Sequence, residues 1–353
     1  MKTKNYIGLG FVCIMALLLV SGCDAKKSSN PVSDDQNNNN SNNNVFWQAL
    51  STPATAGCAA ADINNKIWIG TSAGMYKSSD GGTTWNKVTT SGFTSTGSTS
   101  LIRPDKSGKI YAMVGTDIFV LNNSASSWVN VSKNINSSTI TYSKTHTFNL
   151  DSDGNIYAGM YVSVKPDPQT IGMDQNIFVK STDGGQTWTE LKIAQFGGQI
   201  RDIVIDPKGE ILVIMDNTVY LSLDMGKTWK QAVTGVGSSN PMLLRANSKS
   251  ILYAGTGNGI MQSADAGLNW DSANYTTYCP SLVINSLDYL FAGAINSVFV
   301  STDNAAHWTE MSTGLKHSID GFSNCNVQTF DKDGFIYAIL EGVLYKSSIS
   351  TTK

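Results

Sequence analysis

Histidine, arginine and cysteine are scarce in this chain, and each shortage removes a class of chemistry. The three histidines, His146, His307 and His317, stand at no metal-ligand spacing to one another or to a cysteine, so a protein-built zinc site is not expected. Arginine occurs only at 103, 201 and 245, and no Lys/Arg run exceeds Lys26-Lys27. With a formal net charge of -2, the chain lacks the basic patch that phosphate-backbone binding needs, which excludes nucleic acid as a partner. Gly-x-Gly-x-x-Gly and Walker loops before a helix are missing, as is Gly-x-Ser-x-Gly, and no cofactor is implied. A helical hydrophobic period is missing too. Only one apolar run stands out, at residues 7–20, and it is short for a membrane span.

That run belongs to a processing segment. Lys2 and Lys4 form a basic start, residues 7–20 an apolar core, and Val20-Ser21-Gly22-Cys23 a cleavage site. The pattern resembles a bacterial lipobox, which implies a leader over 1–22, lipidation of Cys23 and anchoring of the exported chain to a membrane. Loss of Lys2 and Lys4 leaves 23 basic against 27 acidic residues. Residues 23–44 comprise the lipidated cysteine and an Asn/Ser-rich tether without hydrophobic period. As a flexible coil the tether spans roughly 25 Å, and about 70 Å when drawn straight. Asp24 resembles an inner-membrane retention signal of enterobacterial lipoproteins; the membrane and leaflet stay open.

Abundant Asn, Ser, Thr and Gly suit tight turns between short strands. Tryptophans at 47, 85, 128, 188, 229, 270 and 308 are separated by 38, 43, 60, 41, 41 and 38 residues. A period near forty signals propeller blades or helical pairs, and the strand-like runs between the tryptophans decide for blades. Lys109-Ile-Tyr-Ala-Met, Asn155-Ile-Tyr-Ala-Gly, Ile251-Leu-Tyr-Ala-Gly and Phe335-Ile-Tyr-Ala-Ile each follow a turn with Asp, Asn or Ser and usually Gly, such as Asp105-Lys-Ser-Gly108. One unit reads as strand A, this turn, strand B, a short turn, strand C, a signature turn and strand D. Strand B begins at Ile67, Ile110, Ile156, Ile211, Leu252, Leu290 and Ile336, giving seven blades. The seventh lacks its own strand D, and Val45-Phe-Trp-Gln-Ala-Leu50 is an orphan that matches one. The expectation is an all-β, seven-bladed propeller over 45–348, with four-stranded antiparallel blades, closed by the N-terminal strand, and a tail over 349–353.

The signature turn is Ser181-Thr-Asp-Gly-Gly-Gln-Thr-Trp188, with copies at 78–85, 222–229 and 263–270 and a worn copy at 301–308. It resembles the Asp-box, or BNR, repeat. The resemblance implies a structural clasp built from Ser78, Asp80, Gly82 and Trp85; Ser181, Asp183, Gly185 and Trp188; Ser222, Asp224, Gly226 and Trp229; and Ser263, Asp265, Gly267 and Trp270. The carboxylates accept backbone N–H bonds, the glycines adopt positive φ and the indoles pack between sheets. Ala305 in the sixth copy and Asn122-Asn-Ser-Ala-Ser-Ser-Trp128 in the second imply different turns there. Neither a metal nor catalysis is expected at the clasp, nor at Asp151-Ser-Asp-Gly154 and Asp331-Lys-Asp-Gly334, which lack the later oxygen donors of a calcium loop.

Propellers of this type include sialidases, xyloglucan-cleaving glycosidases, sortilin-type receptors and photosystem II assembly factors. A sialidase holds its substrate carboxylate with three arginines. Here Arg103 and Arg245 fall towards the clasp end of strand A and Arg201 towards the opposite mouth, so they are not expected to converge. A glycosidase needs two flanking carboxyls. Loop-face candidates are Asp117, Asp167, Asp174, Asp216, Asp320 and Glu341, mostly in tight turns, and no catalytic residue is assigned. The long third blade points instead to binding: Tyr161, Lys165, Asp167 and Asp174 on its B–C loop, Tyr142 and His146 before it, and Arg201 beside it form a mixed aromatic and charged rim for a protein or glycan ligand. The sequence thus reads as a lipid-anchored monomeric binding or assembly platform, with a glycoside hydrolase, xyloglucanase-like or sialidase-like, as the alternative. Cys58, Cys279 and Cys325 begin inner strands of consecutive blades, and export permits a disulfide, expected between Cys279 and Cys325.

Overall fold

Short β-branched and aromatic runs separated by Asp/Asn/Gly turns form strands because the turns reverse the chain every few residues. The computed structural model describes residues 45–352 except 90, 94–96, 123–126, 136–139, 166–172, 194–197, 233–234, 237–238 and 319–320. The leader, Cys23, the tether, Asp167, Asp320 and most of the second signature turn lie outside the described residues. The strands assemble into seven four-stranded antiparallel sheets, the blades of a β-propeller. Every strand B starts at the residue expected, from Ile67–Thr71 in blade one to Ile336–Leu340 in blade seven. Blade seven takes its outer strand from Trp47–Ala49, whose residues pair with Ser347, Lys346 and Tyr345. The ring is thereby closed by the N-terminal end of the described chain.

Strand B is buried on both sides, since each blade is sandwiched between two others. Ile211–Met215 (Ile-Leu-Val-Ile-Met) is buried throughout, which explains a continuous apolar run where a one-sided strand would alternate. The core comprises seven hydrophobic layers between neighbouring blades, and each receives one of the seven periodic tryptophans. The glycine that ends the Tyr-Ala-Gly and Phe-Ala-Gly motifs admits the next inner strand: a Cβ on Gly293 would stand 1.9 Å from the Cys325 carbonyl oxygen.

Strand A lines the central channel, and its inner edge has no strand partner within its own sheet. Side chains of the preceding blade satisfy that edge. Asn149 donates to the Ile203 carbonyl at 2.8 Å, Asp202 accepts from Leu244 N–H at 2.8 Å, Ser281 accepts from Val327 N–H at 2.8 Å, and Gln328 accepts from Ala59 N–H at 3.1 Å. These bonds stitch blade three to four, four to five, six to seven and seven to one around the channel.

The signature turns form a repeated clasp. In blade four Ser222 Oγ accepts Gly226 N–H at 2.8 Å and donates to Asp224 Oδ1 at 2.8 Å, while Asp224 accepts Thr228 N–H at 2.8 Å and the Thr228 hydroxyl at 2.6 Å. The same pattern recurs from Ser78 to Thr84, Ser181 to Thr187 and Ser263 to Asn269. Blade six corrects the expectation of a different turn. Ala305 adopts φ 67°, donates to Ser301 Oγ at 2.9 Å, and Asp303 accepts His307 N–H at 2.9 Å, so alanine occupies the left-handed conformation and the hydrogen bonds hold it there. Bonds from the Thr84, Thr187 and Thr228 side chains pull Asp80, Asp183 and Asp224 down to about 2, and Asp303 reaches the same value mainly through the His307 backbone.

The expected disulfide is not formed: Cys58, Cys279 and Cys325 are free and buried. Cys279 lies in the layer between blades five and six and Cys325 in the layer between six and seven, on opposite faces of the sixth sheet. The Cys279 thiol points to the Ser281 carbonyl at 3.3 Å, and burial raises both thiols to about 12.

Candidate binding site on the loop face

The face opposite the clasps carries the B–C and D–A connections, and blade three dominates it. Its strand B, Ile156–Val164, has nine residues where Ile211–Met215 has five, and Ile140–Leu150 and Met173–Ser181 extend with it. The register continues to Ile140 opposite Val164 and Val164 opposite Met173. Four extra residues raise this sheet about 13 Å beyond its neighbours. Much of what reads as a B–C loop between 161 and 175, and the stretch holding Tyr142 and His146, is therefore β-structure. The connection proper starts at Lys165, which is exposed.

Alternation sorts the extension into two faces. Met160 and Val162 are buried at 1% and 0% exposure in the layer towards blade two. Tyr161, Ser163, Asp174 and Asn176 occupy the other face, opposite one another in register. The Tyr161 hydroxyl donates to Asp174, and this bond, with one from Ser163, holds the Asp174 carboxyl below its usual range.

His146 reaches this polar face through a β-bulge. Thr145 pairs with Met160 and Thr147 with Gly159, so His146 is the extra residue, and the bulge re-aims its ring. Its Nε2 lies 3.3 Å from Asn176 Oδ1, its Nδ1 lies 3.0 Å from Gln199 Nε2, and its ring meets Tyr161 edge-on at 6.5 Å between centroids. With Gln199 donating to Nδ1 and Nε2–H donating to Asn176, these partners suit the neutral imidazole. Burial lowers the His146 pKa, Lys144 acts in the same direction, and the Asn176 bond opposes them. Gln199 is held in turn: its backbone N–H donates to Asp216 Oδ1 at 3.2 Å.

Bulges fall at the corresponding position of strand A in blades one, two, four and five, at Gly57, Ser100, Arg201 and Met242. Arg201 is thus the blade-four counterpart of His146. It is exposed and donates to Asn217 Oδ1 at 3.2 Å. The structure therefore brings together His146, Tyr161 and Asp174, with Arg201 on the adjoining blade. Tyr142 lies in the same strand, opposite Ser163. Asn176, Gln199 and Asn217 went unnoticed in the sequence, because a lone amide carries no spacing signal; the bulge that recruits Gln199 is invisible before strand pairing is known.

Of the loop-face carboxylates weighed for hydrolysis, Asp117 and Glu341 are engaged by serines. Asp117 accepts from Ser132 Oγ at 3.2 Å, and Glu341 accepts from Ser318 N–H at 3.1 Å and Ser318 Oγ at 2.8 Å. Asp216 and Glu341 sit at φ 53° and 51°, as turn residues.

The arginines keep the axial positions expected of them. Register keeps Arg103 and Arg245 near the clasp end of strand A, opposite Tyr111 and Tyr253, and Arg201 near the mouth, yet all three line one cavity in the central channel.

No family model and no curated protein matches the chain. Solved structures do match. Virginiamycin B lyase from Staphylococcus aureus shares 11% identity at a TM-score of 0.61, over 86% of this chain and 99% of that one. The extracellular domain described as the one component system BT4673 of B. thetaiotaomicron shares 14% at 0.62, over 86% of this chain and 40% of that one. YCF48 from Cyanidioschyzon merolae shares 14% at 0.60, over 86% and 98%; YCF48 has also been solved bound to D1 peptide. At these identities the likeness is one of fold.

Proposed function

We propose that the chain is an exported, lipid-anchored propeller whose loop face binds a peptide segment of a protein partner in the crevice between the blade-three extension and blade four. The observation that carries this reading is the two-sided extension, with an apolar side packed on blade two and a polar side ordered by the Tyr161–Asp174 and Asn176–His146–Gln199 bonds. A polar face held in fixed geometry on a rigid scaffold loses little freedom on binding, which favours affinity. The outer strand of blade three pairs only at Val179 and Lys180, so among the described residues no strand covers the outer edge of residues 173–177, and an extended peptide can add there. A propeller of the same fold, YCF48, has been solved bound to D1 peptide, which supports a peptide as the class of ligand.

Anchoring through Cys23, with residues 24–44 as tether and the propeller facing the cell envelope, completes the proposal. Labelling with a radioactive fatty acid, lost on Cys23→Ser, tests the anchor. The site is tested by screening peptide and glycan arrays with the purified protein while recording reducing-end release. Peptide binding that Tyr161→Ala and His146→Ala weaken about tenfold each supports the reading. Glycan turnover abolished by changing Asp174, Asp216 or Glu341 overturns it in favour of a hydrolase.

A further inference from the structure

All three arginines of the chain border the central cavity of about 300 Å³, where Asp202 is the single acidic residue of the lining. In a chain of net charge -2 this concentrates positive charge where low-dielectric walls intensify its field. Two of the three are committed. Arg245 donates Nη1 to Asp202 Oδ2 at 3.1 Å and Nε to the Leu282 carbonyl at 2.8 Å, tying blades four, five and six together. Arg201 stands at the mouth and bonds Asn217.

Arg103 is different. It is half-buried, its one hydrogen bond among the described residues is a long 3.3 Å contact from Nη1 to the Ile102 carbonyl, and no described carboxylate lies within ion-pair distance. Burial pulls its pKa down to about 10, and Arg245 acts in the same direction against Asp202, which leaves it cationic at neutral pH. A half-buried guanidinium with most of its N–H fork unused by protein groups is available to an anionic partner. The fork matches the paired oxygens of a carboxylate or phosphate. Ser100 adds a hydroxyl to the same wall, while Ser281 spends its own on the Cys325 carbonyl. The volume lies at the small end of ligand pockets, which limits the occupant to a small solute.

We propose that the central channel binds a small oxyanion, a carboxylate or phosphate group held by the Arg103 guanidinium, with Arg201 drawing it in at the mouth. Arg245, held by Asp202, contributes field but little direct contact. This site shares Arg201 at its mouth with the surroundings of the blade-three crevice, but its central residue, Arg103, belongs to blade two and is tested without the crevice.

The test is calorimetric titration of the purified full chain with succinate and, separately, inorganic phosphate, each against sodium chloride of equal ionic strength. Saturable binding of at least one is expected, and the stronger identifies the class of oxyanion. Arg103→Met weakens it by about tenfold or more and raises the ligand-free melting temperature, because an unpaired charge is removed. Arg103→Lys keeps the charge but loses the fork, giving an intermediate affinity. Asp202→Asn strengthens binding several-fold, a result a purely structural arginine does not produce. Tyr161→Ala leaves it unchanged. If neither anion binds beyond the chloride control, or Arg103→Met and Arg103→Lys both bind like the parent, the proposal is wrong.

Discussion

The two faces of the disc are built from one repeat and behave as opposites. On the clasp face, blades one, three, four, five and six spend the same residues on the same bonds, from Ser78 Oγ to Gly82 N–H at 2.8 Å through Ser301 Oγ to Ala305 N–H at 2.9 Å. On the loop face the turns differ, and one sheet rises above the rest. Repetition marks what every blade needs to stay folded; departure from it marks what one blade does alone.

The comparison breaks first at the core of a blade. Trp270 is 3% exposed and donates Nε1–H to the Gly267 carbonyl at 2.9 Å, so Trp270→Ala is expected to cost about 3–5 kcal/mol in denaturant unfolding while peptide binding by the surviving folded fraction is unchanged. On the loop face the order reverses: Tyr161→Ala should reduce peptide affinity by about tenfold, or about 1.4 kcal/mol, with a smaller loss of stability. Ser222→Ala removes the hydroxyl that serves both Gly226 and Asp224, and should cost about 1 kcal/mol without changing affinity.

Blade six sharpens the contrast from the other direction. Alanine at φ 67° is strained by about 1–2 kcal/mol, part of which glycine forfeits through its freer unfolded chain. Ala305→Gly should therefore stabilise the protein by about 0.5–1 kcal/mol, measured by the same unfolding curves.

The smallest effect is a separation in pH. Because the folded His146 pKa is depressed, its contribution is complete above its ordinary value of about 6.5 and is lost as pH falls below it, when the ring gains a proton and Gln199 must give up its bond to Nδ1. The clasp aspartates are depressed to about 2, so their contribution holds above about 4 and disappears only as pH falls through about 2. Carboxyl and imidazole titrations followed by NMR should therefore show the His146 network opening below its ordinary pKa of about 6.5 while every clasp is still intact. Coincident midpoints on the two faces would contradict the assignment.

How much could be read beforehand follows the same division. The blade count, the start of every strand B, the closure by Trp47–Ala49 and the clasp bonds were legible because each rests on a local pattern written several times over. Ala305 misled because its hydrogen bonds, made by backbone and Ser301, outweigh the missing glycine. Cys279 and Cys325 misled because position along a strand locates a residue axially but not on which face of the sheet it points. The site was legible only in outline: length marked blade three, but the bulge at His146 and the Gln199 contact depend on strand register, which a single sequence does not encode locally. That all three arginines border one channel cavity escaped for a related reason, since which residues share a lining is set by the closed ring.

The most direct measurement is hydrogen exchange of the purified chain with and without the tightest-binding peptide selected from a display library. The account predicts added protection in the blade-three extension, over Ile140–Leu150, Ile156–Val164 and Met173–Ser181, with the signature turns unchanged. Protection confined to the signature turns, or spread evenly over all the blades, would contradict it.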